Sequence, residues 1–393
     1  MSVKRVRRRR RGPKRVRVGA PDPSLTGLSG VAAVAEFAGK LDLVRTLDRG
    51  IGPIKQRDRG ATGGQLLFAM AQSQLLGADC LVGLDRHRPD PAMTCLSAVP
   101  VPPSTTAAGL ARRFTDDRLR GVESAVATLT GRYYRMLPAT RRVELTARAT
   151  IDMDSTDVEV YGSRKQGMAY NYAGQRCGRP HLATWAEAGL TVAADLLAGN
   201  DDVRPRAADL LGRALKALPE PVRTAAARAD RLRVRADAGY FTAELAHAAV
   251  DNGCDFAVAA KRNTAMWRAY AGIPQDGWAD AIDMPGAQVA AVDYAPGGWP
   301  EGTYTIVRRV RVEAQEISAD PRSRRRRTIH PDQLALALEG VADHALAVSF
   351  IVTNIPTYRS TAGGDTIRQV EAWFRRRTDI EDRILLPGWR TVA

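Results

Sequence analysis

Apolar residues recur at helical spacing through the first third of the chain. Val31, Val34, Ala38 and Leu41 line one side of a segment whose other side carries Glu36 and Lys40. A mostly apolar helix is predicted over Leu66–Leu76, after the Gly63-Gly64 break. Ser104-Thr105-Thr106 supplies N-cap hydroxyls for a helix reaching about Thr115, and another is predicted from Asp117 to Leu137. Residues 25–140 thus read as helical, a composition shared by scaffolds and DNA-binding modules, and it names no function.

The pattern changes near Thr146. Ala149-Thr150-Ile151-Asp152-Met153-Asp154 reads as a buried strand ending in acids, and Asp157 to Tyr161 alternates as a second strand. Short strands are predicted at His181–Ala188 and Leu190–Leu197, then helices at Val203–Leu218 and Pro221–Asp230. Leu232–Ala236 is a strand with Asp237 at its C-terminal end, followed by a helix at Phe241–Asn252 and a strand at Phe256–Ala260. Strands followed by helix–strand–helix–strand give a mixed α/β domain. Residues 264–335 break the rhythm: Gly286–Tyr294 and Thr303–Ala314 read as antiparallel strands joined through Pro296-Gly297-Gly298, and Arg322 with Arg324 to Arg327 forms a basic loop. Helix returns at Pro331–Glu339, an apolar strand at Ala347–Thr353, and a last helix over Ile367–Leu386, which Pro387-Gly388 ends.

Charge adds a partner. The net charge is +15, and Lys4, Arg5, Arg7 to Arg11, Lys14, Arg15 and Arg17 lie in a tail without acids. Like charges at that density repel, so residues 1–24 are expected to be disordered alone. On nucleic acid they would neutralise phosphates and release counterions, so Arg7, Arg8, Arg9 and Arg10 are candidate DNA contacts; the plainer alternative is a solvated tail. Arg324 and Arg325 in the second basic run are candidates of the same kind. Cys80, Cys95, Cys177 and Cys254 are too widely spaced for a zinc site and are expected to be reduced core residues. No apolar run is long enough to span a membrane, and no apolar segment follows the basic N-terminus as in a signal peptide. The simplest location is the cytoplasm, at the nucleoid.

Three acids stand at suggestive places: Asp154 and Asp237 at strand ends, and Glu381 on the final helix. Hard divalent cations take carboxylate oxygens, and two such ions can serve both the attacking and the leaving oxygen of a phosphoryl transfer. Singly, each acid also fits a turn, a cap or a solvated helix face, and Arg377–Glu381 fits an i,i+4 surface pair.

Taken in order, the surrounding motifs are more specific. Ile151-Asp152-Met153-Asp154-Ser155-Thr156 is followed by Val234-Arg235-Ala236-Asp237-Ala238-Gly239-Tyr240-Phe241. Gly253-Cys254-Asp255-Phe256 comes next, then Phe374-Arg375-Arg376-Arg377-Thr378-Asp379-Ile380-Glu381. Over about residues 25–386 the chain resembles the DDE transposases of bacterial insertion sequences, in the insertion-sequence-four superfamily, and is most similar to the insertion-sequence thirteen-eighty family. In the final family signature Phe374 stands at the tyrosine, Arg377 at the arginine, Glu381 at the glutamate and Gly388 at the lysine. Tyrosine and lysine are therefore missing, and the expectation is a C-terminally truncated chain with impaired catalysis.

The resemblance implies an RNase H-like mixed sheet with a β-rich insertion, preceded by a helical N-terminal domain and the basic tail. It implies metal binding and catalysis by Asp154, Asp237 and Glu381 with two Mg²⁺ ions, for which Mn²⁺ could substitute. It implies cleavage and strand transfer at terminal inverted repeats, insertion into target DNA, and a homodimer in the synaptic complex. The expected parts are a tail at 1–24, a helical domain at 25–142, the first part of the catalytic core at 143–263, the insertion at 264–335 and the last strand and helix at 336–393. Asp152, two residues before Asp154, faces the same way on a strand and reads as a supporting acid or a ligand. Arg377 either grips the DNA backbone or orients Glu381. Trp267, Trp278 and Trp299 lie near the insertion, where packing is the ordinary role; Trp299 is the first choice for stacking on an unpaired base. The competing functions are a non-catalytic DNA-binding remnant of a transposase and a metal-dependent nuclease that cuts without joining.

Overall fold

The computed structural model describes residues 20, 22–55, 59–162, 165–323, 325–357 and 366–377. Eight helices come first: α1 (Val31–Lys40), α2 (Leu43–Ile51), α3 (Gly63–Leu75), α4 (Val82–His87), α5 (Pro91–Leu96), α6 (Ser104–Ala111), α7 (Asp116–Met136) and α8 (Ala139–Ala147). Strands follow: β1 (Ala149–Ser155), β2 (Val158–Glu159), β3 (Ala169–Tyr170), β4 (Arg176–Trp185) and β5 (Leu190–Ala198). The chain then alternates through α9 (Arg204–Ala217), α10 (Glu220–Arg228), β6 (Leu232–Ala236), α11 (Ala243–Asp251), β7 (Asp255–Ala259) and α12 (Thr264–Ala271). It ends with β8 (Ala279–Asp280), β9 (Ala287–Val292), β10 (Tyr304–Glu313), α13 (Pro331–Leu338), β11 (His344–Thr353) and α14 (Ile367–Arg375).

Among the described residues the strands form one mixed sheet in the order β2-β4-β1-β6-β7-β11-β10-β9-β8, with β3 and β5 on the other flank of β4. The pairs β1–β6 and β6–β7 are parallel and the rest antiparallel. The expected mixed α/β architecture is therefore present. The strands of residues 264–335 do not make a sheet of their own. β9 pairs with β10 and β10 with β11, so they lengthen the same sheet.

Alternation along the strands divides the core into two faces. Ile151, Met153, Val234, Phe256 and Val258 pack with Leu210, Leu211, Val222 and Leu245 of α9, α10 and α11 in the largest apolar cluster. Ala257, Ile306 and Ile351 turn the other way and are covered by Val370 and Trp373 of α14. The same alternation puts Thr150, Asp152 and Asp154 on the α14 side, and Trp373 Nε1 donates to Thr150 Oγ1 at 3.2 Å.

The N-terminal helices keep smaller cores of their own, around Phe68 and Leu84 and around Leu47 and Leu66. Arg213 on α9 ties α7 to the sheet, donating to Glu123 at 2.7 Å and to Asp195 of β5 at 2.7 Å. The expected strand at His181–Ala188 begins earlier and stops at Trp185. Gly189, at φ +69°, closes the turn into β5 by donating to Trp185 O at 2.9 Å. Cys177 and Cys254 are buried as expected, whereas Cys80 and Cys95 are exposed. Among the described residues no helix is long and apolar enough to cross a membrane.

Helices α2 and α7 cross at two glycines. A Cβ on Gly121 would stand 2.0 Å from Gly50 O, and one on Gly50 2.2 Å from Gly121 O. Alanine would gain up to about 1 kcal/mol in helix propensity, but forced overpacking costs about 1–3 kcal/mol and the obstacle is backbone. Gly121→Ala should therefore lower the melting temperature, whereas Gly131→Ala, in the same helix with nothing nearer than Arg135 Nη1 at 3.9 Å, should raise it. Thermal denaturation of the two variants checks both signs.

Candidate active site: carboxylates at the ends of adjacent parallel strands

β1 and β6 run side by side from Ala149–Leu232 to Met153–Ala236. Asp154 and Asp237 each follow the last pair. They leave neighbouring strands at the same end, where strands lie about 4.8 Å apart. Both continue the face that α14 covers. Asp154 is buried, and its Oδ1 accepts the Ser155 amide at 2.9 Å. Asp237 is half-buried and accepts from Gly239 N at 2.8 Å, so it caps the 3-10 turn Ala238–Tyr240. A Cβ at Gly239 would lie 2.9 Å from that same oxygen, which fits a glycine there.

Two further groups bear on this pair. Arg377, just beyond α14, brings Nη1 to 3.9 Å from Asp154 Oδ2. Tyr240 is fully buried, and burial first, then the negative fields of Asp154 and Asp237, push its phenol well above the usual range. It stays a neutral hydroxyl at neutral pH. The sequence places Tyr240 in the motif around Asp237 but assigns it no role.

The helix that delivers Arg377 is held from below. Asp152, 2 % exposed, forms a bidentate pair with Arg235, 3 % exposed, in which Nη2 reaches Oδ2 at 3.0 Å and Nε bonds Oδ1. Arg235 Nη1 also donates to the carbonyl of Trp373, and its guanidinium lies 5.1 Å from the centre of the Trp373 ring. Burial pushes the Asp152 carboxyl up and Arg235 pulls it back. Further along the sheet-facing side of α14, fully buried Glu371 accepts from Arg308 at 2.7 Å and Arg375 at 3.2 Å, and Arg375 donates to Ile282 O at 2.5 Å. A capping box between Thr366 and Gln369 starts the helix.

Of the residues singled out by sequence, Asp154, Asp237 and Arg377 are brought together. Glu381, Arg324 and Arg7 to Arg10 lie outside the described residues, as does the Pro387-Gly388 helix end. Arg325 is half exposed, 4.0 Å from Glu316, and Arg326 holds its loop together by donating to Ala319 O at 2.9 Å. That loop joins β11 through Ile329–Ala347. Because β11 runs against β7, and β7 with β6 and β1, the loop sits at the same end of the sheet as the two aspartates. Trp299 is elsewhere: its ring packs on Phe241 at 5.0 Å and Phe256 at 5.6 Å, in the core on the face away from the acids. That ring is occupied by packing.

The family model described as "Transposase DDE domain group 1" matches residues 9–322. The chain belongs to this family. The matched span includes Asp154 and Asp237 and stops before α14. No curated protein matches. Among solved structures the chain is similar to that described as "Cryo-EM structure of piggyBac transposase synaptic complex with hairpin DNA", at 11% identity, over 92% of this chain and 67% of that one, with a TM-score of 0.37. Family membership rests on the family model alone. Among the described residues no group of three or more His, Cys, Asp or Glu gathers. Asp154 and Asp237 are hard oxygen donors on adjacent strand ends, which suits part of a divalent-cation ligand set.

Removing one partner of a buried pair strands the other charge and costs about 3–5 kcal/mol. Arg235→Met should therefore lower the unfolding free energy by about that amount. Asp152→Asn together with Arg235→Met should cost less than the sum of the single changes. Urea denaturation of the four-member cycle measures this coupling.

Proposed function

We propose that this member of the family is a DNA transposase that cuts and joins phosphodiester bonds at the ends of a mobile element, in the manner of the insertion-sequence thirteen-eighty group. The observation that carries the proposal is the side-by-side exit of Asp154 and Asp237 from parallel β1 and β6, on the face that α14 covers. Asp154 and Asp237, with Glu381 as third acid, would hold Mg²⁺ or Mn²⁺; bound there, the ions supply activation of the attacking oxygen and charge stabilisation of the leaving one. Arg377, whose fork matches phosphate geometry, is assigned to the DNA backbone beside Asp154. Tyr240, buried and held neutral, adds no negative charge to the field of the two aspartates.

DNA reaches this edge over positive surface. The Arg325 loop flanks the acids at the same end of the sheet, and the Arg7–Arg10 tail adds non-specific attraction. We assign synapsis of two element ends to a homodimer. The division into tail, helical domain, core and insertion at 1–24, 25–142, 143–263, 264–335 and 336–393 is kept as the working plan of the chain, with the strands of the fourth part lengthening the sheet of the core.

Asp154→Asn and Asp237→Asn keep shape and remove charge. Each should reduce cleavage of element-end DNA in Mg²⁺ to below about a hundredth of the wild-type rate, at least ~2.7 kcal/mol of barrier, with DNA affinity retained. Supercoiled plasmid carrying the element ends, followed by gel and joining assays, provides the test. Wild-type rates in either variant would remove these acids from the chemistry, and cutting without joining by the wild type would select the nuclease reading. A chain lacking residues 1–17 should bind DNA less tightly, with a shallower slope of log affinity against log salt, because fewer counterions are released. Fluorescence anisotropy across a salt series measures that slope.

A further inference from the structure

Beyond Asp154 the chain leaves β1 and forms a small ribbon. β2 continues the line of β1 along β4: Asp154 pairs with Leu182, then Val158 with Gly178 and Glu159 with Cys177. β3 returns on the other flank, with Tyr170 opposite Arg176. The ribbon therefore extends from the end of the sheet where the two aspartates lie. Counting back along β4 from Leu182 to Arg176 is an even number of residues, so Arg176 and Tyr170 share the face of Asp154, about 20 Å away at about 3.3 Å per residue. Leu196, paired with Pro180 on that face, is 65% exposed, so the face is open to solvent there.

Three tyrosines stand out on this ribbon: Tyr161 is 58% exposed, Tyr170 65% and Tyr172 98%. Among the described residues the other exposed aromatic is Phe37, in α1. The turn that carries Tyr172 is fixed. Asn171, itself buried, accepts from Ala173 N and Gln175 N at 3.0 Å each through Oδ1 and donates from its amide to Gln175 O at 2.9 Å. Its side-chain amide donates to Asp157 Oδ2 at 2.9 Å, and Asp157 in turn accepts from Arg179 at 2.8 Å. Gly174, at φ +77°, permits the reversal. Arg176 secures the neighbouring loop by donating to Lys165 O at 2.7 Å.

A rigid turn that holds an apolar ring wholly in water gains nothing for the fold. It lowers the entropy lost when something flat lies on the ring. Exposed aromatic rings interleaved with cations, here Lys165 and Arg176, match the faces and backbone of unpaired nucleic-acid bases. A second copy of this chain would also meet flat rings, but the cations and the net charge of +15 favour a polyanion.

We propose that this ribbon binds unpaired bases of the DNA strand engaged at Asp154 and Asp237, with Tyr170 and Tyr172 stacking on bases and Arg176 and Lys165 along the backbone. The proposal rests on the transposase reading above and adds a separate site to it. It is tested by fluorescence anisotropy of wild-type protein on two labelled probes: a blunt duplex, and the same duplex with an oligo-dT extension of about ten nucleotides. Joint replacement Tyr170→Ala and Tyr172→Ala should weaken binding to the extended probe roughly 5- to 100-fold and leave the blunt probe unchanged. Tyr170→Phe with Tyr172→Phe should restore it, since the ring rather than the hydroxyl stacks. Thermal melts of both variants verify folding. Equal affinity of the alanine variant for the extended probe, an equal loss on both probes, or loss of self-association by sedimentation with DNA binding intact, would each overturn the proposal. A wild-type protein that binds neither probe would refute the transposase reading itself; one that binds and cuts DNA with the alanine variant unchanged would refute the ribbon alone.

Discussion

The site depends on one buried ion pair. Asp152 and Arg235 sit at the same level of β1 and β6, almost without solvent, and Arg235 reaches on to the backbone carbonyl of Trp373. A guanidinium has enough donors to satisfy a carboxylate and a carbonyl together, and its flat face can lie against an indole at the same time. Those three contacts fasten α14 to the two strands whose next outward residues are the aspartates. A hydrophobic pair would bury the helix as well or better. It would not fix its rotation and height, and these bring Arg377 to 3.9 Å from Asp154.

The polarity of the sheet does the rest. Parallel pairing of β1, β6 and β7 sends segments far apart in sequence to one edge, which is where open α/β sheets gather their functional residues. The antiparallel strands then bring other material to that edge. β4 carries the tyrosine ribbon on one side of the acids, and β11, running the opposite way, begins beside the arginine loop on the other. Aromatic rings, carboxylates and cations therefore occupy a single rim without any of them being close in sequence.

Much of this was legible from the sequence, and the reasons are local. Leu232–Ala236 was read with its observed ends because it is a short buried run closed by Asp237, and Leu190–Ala198 and Arg204–Ala217 were found to within a residue from their periodicity. Asp154 and Asp237 were legible as strand-end acids within ordered motifs. Helices α8 and α12 are not distinguished as separate elements in the sequence. β9 and β10 are legible in the sequence and β8 is not, and which sheet they join is a long-range choice that no window contains. The same limit hid the Asp152–Arg235–Trp373 contact. The Gly297-Gly298 turn draws attention to Trp299, yet Phe241 and Phe256 converge on its ring from other segments. The exposure of Tyr170 and Tyr172 is not legible for the same reason, since it depends on what folds against the ribbon.

Asp152 and Asp154 show how position alone divides two identical side chains. They lie on one strand, two residues apart, facing the same way, so neither residue type nor orientation distinguishes them. Asp152 is level with Arg235 and under Trp373; its two oxygens are both engaged, and losing Arg235 would leave a charge with no water to solvate it. Asp154 is one pleat further on, past the last paired residues of β1 and β6 and beyond the Trp373 ring. It has an arginine at 3.9 Å rather than in a bidentate clasp, and a second carboxylate on the neighbouring strand. Like charges at neighbouring strand ends repel, and a hard cation would offset that repulsion. The inner acid is thereby committed to holding the helix, and the outer one stands at the strand end beside a second strand-end acid.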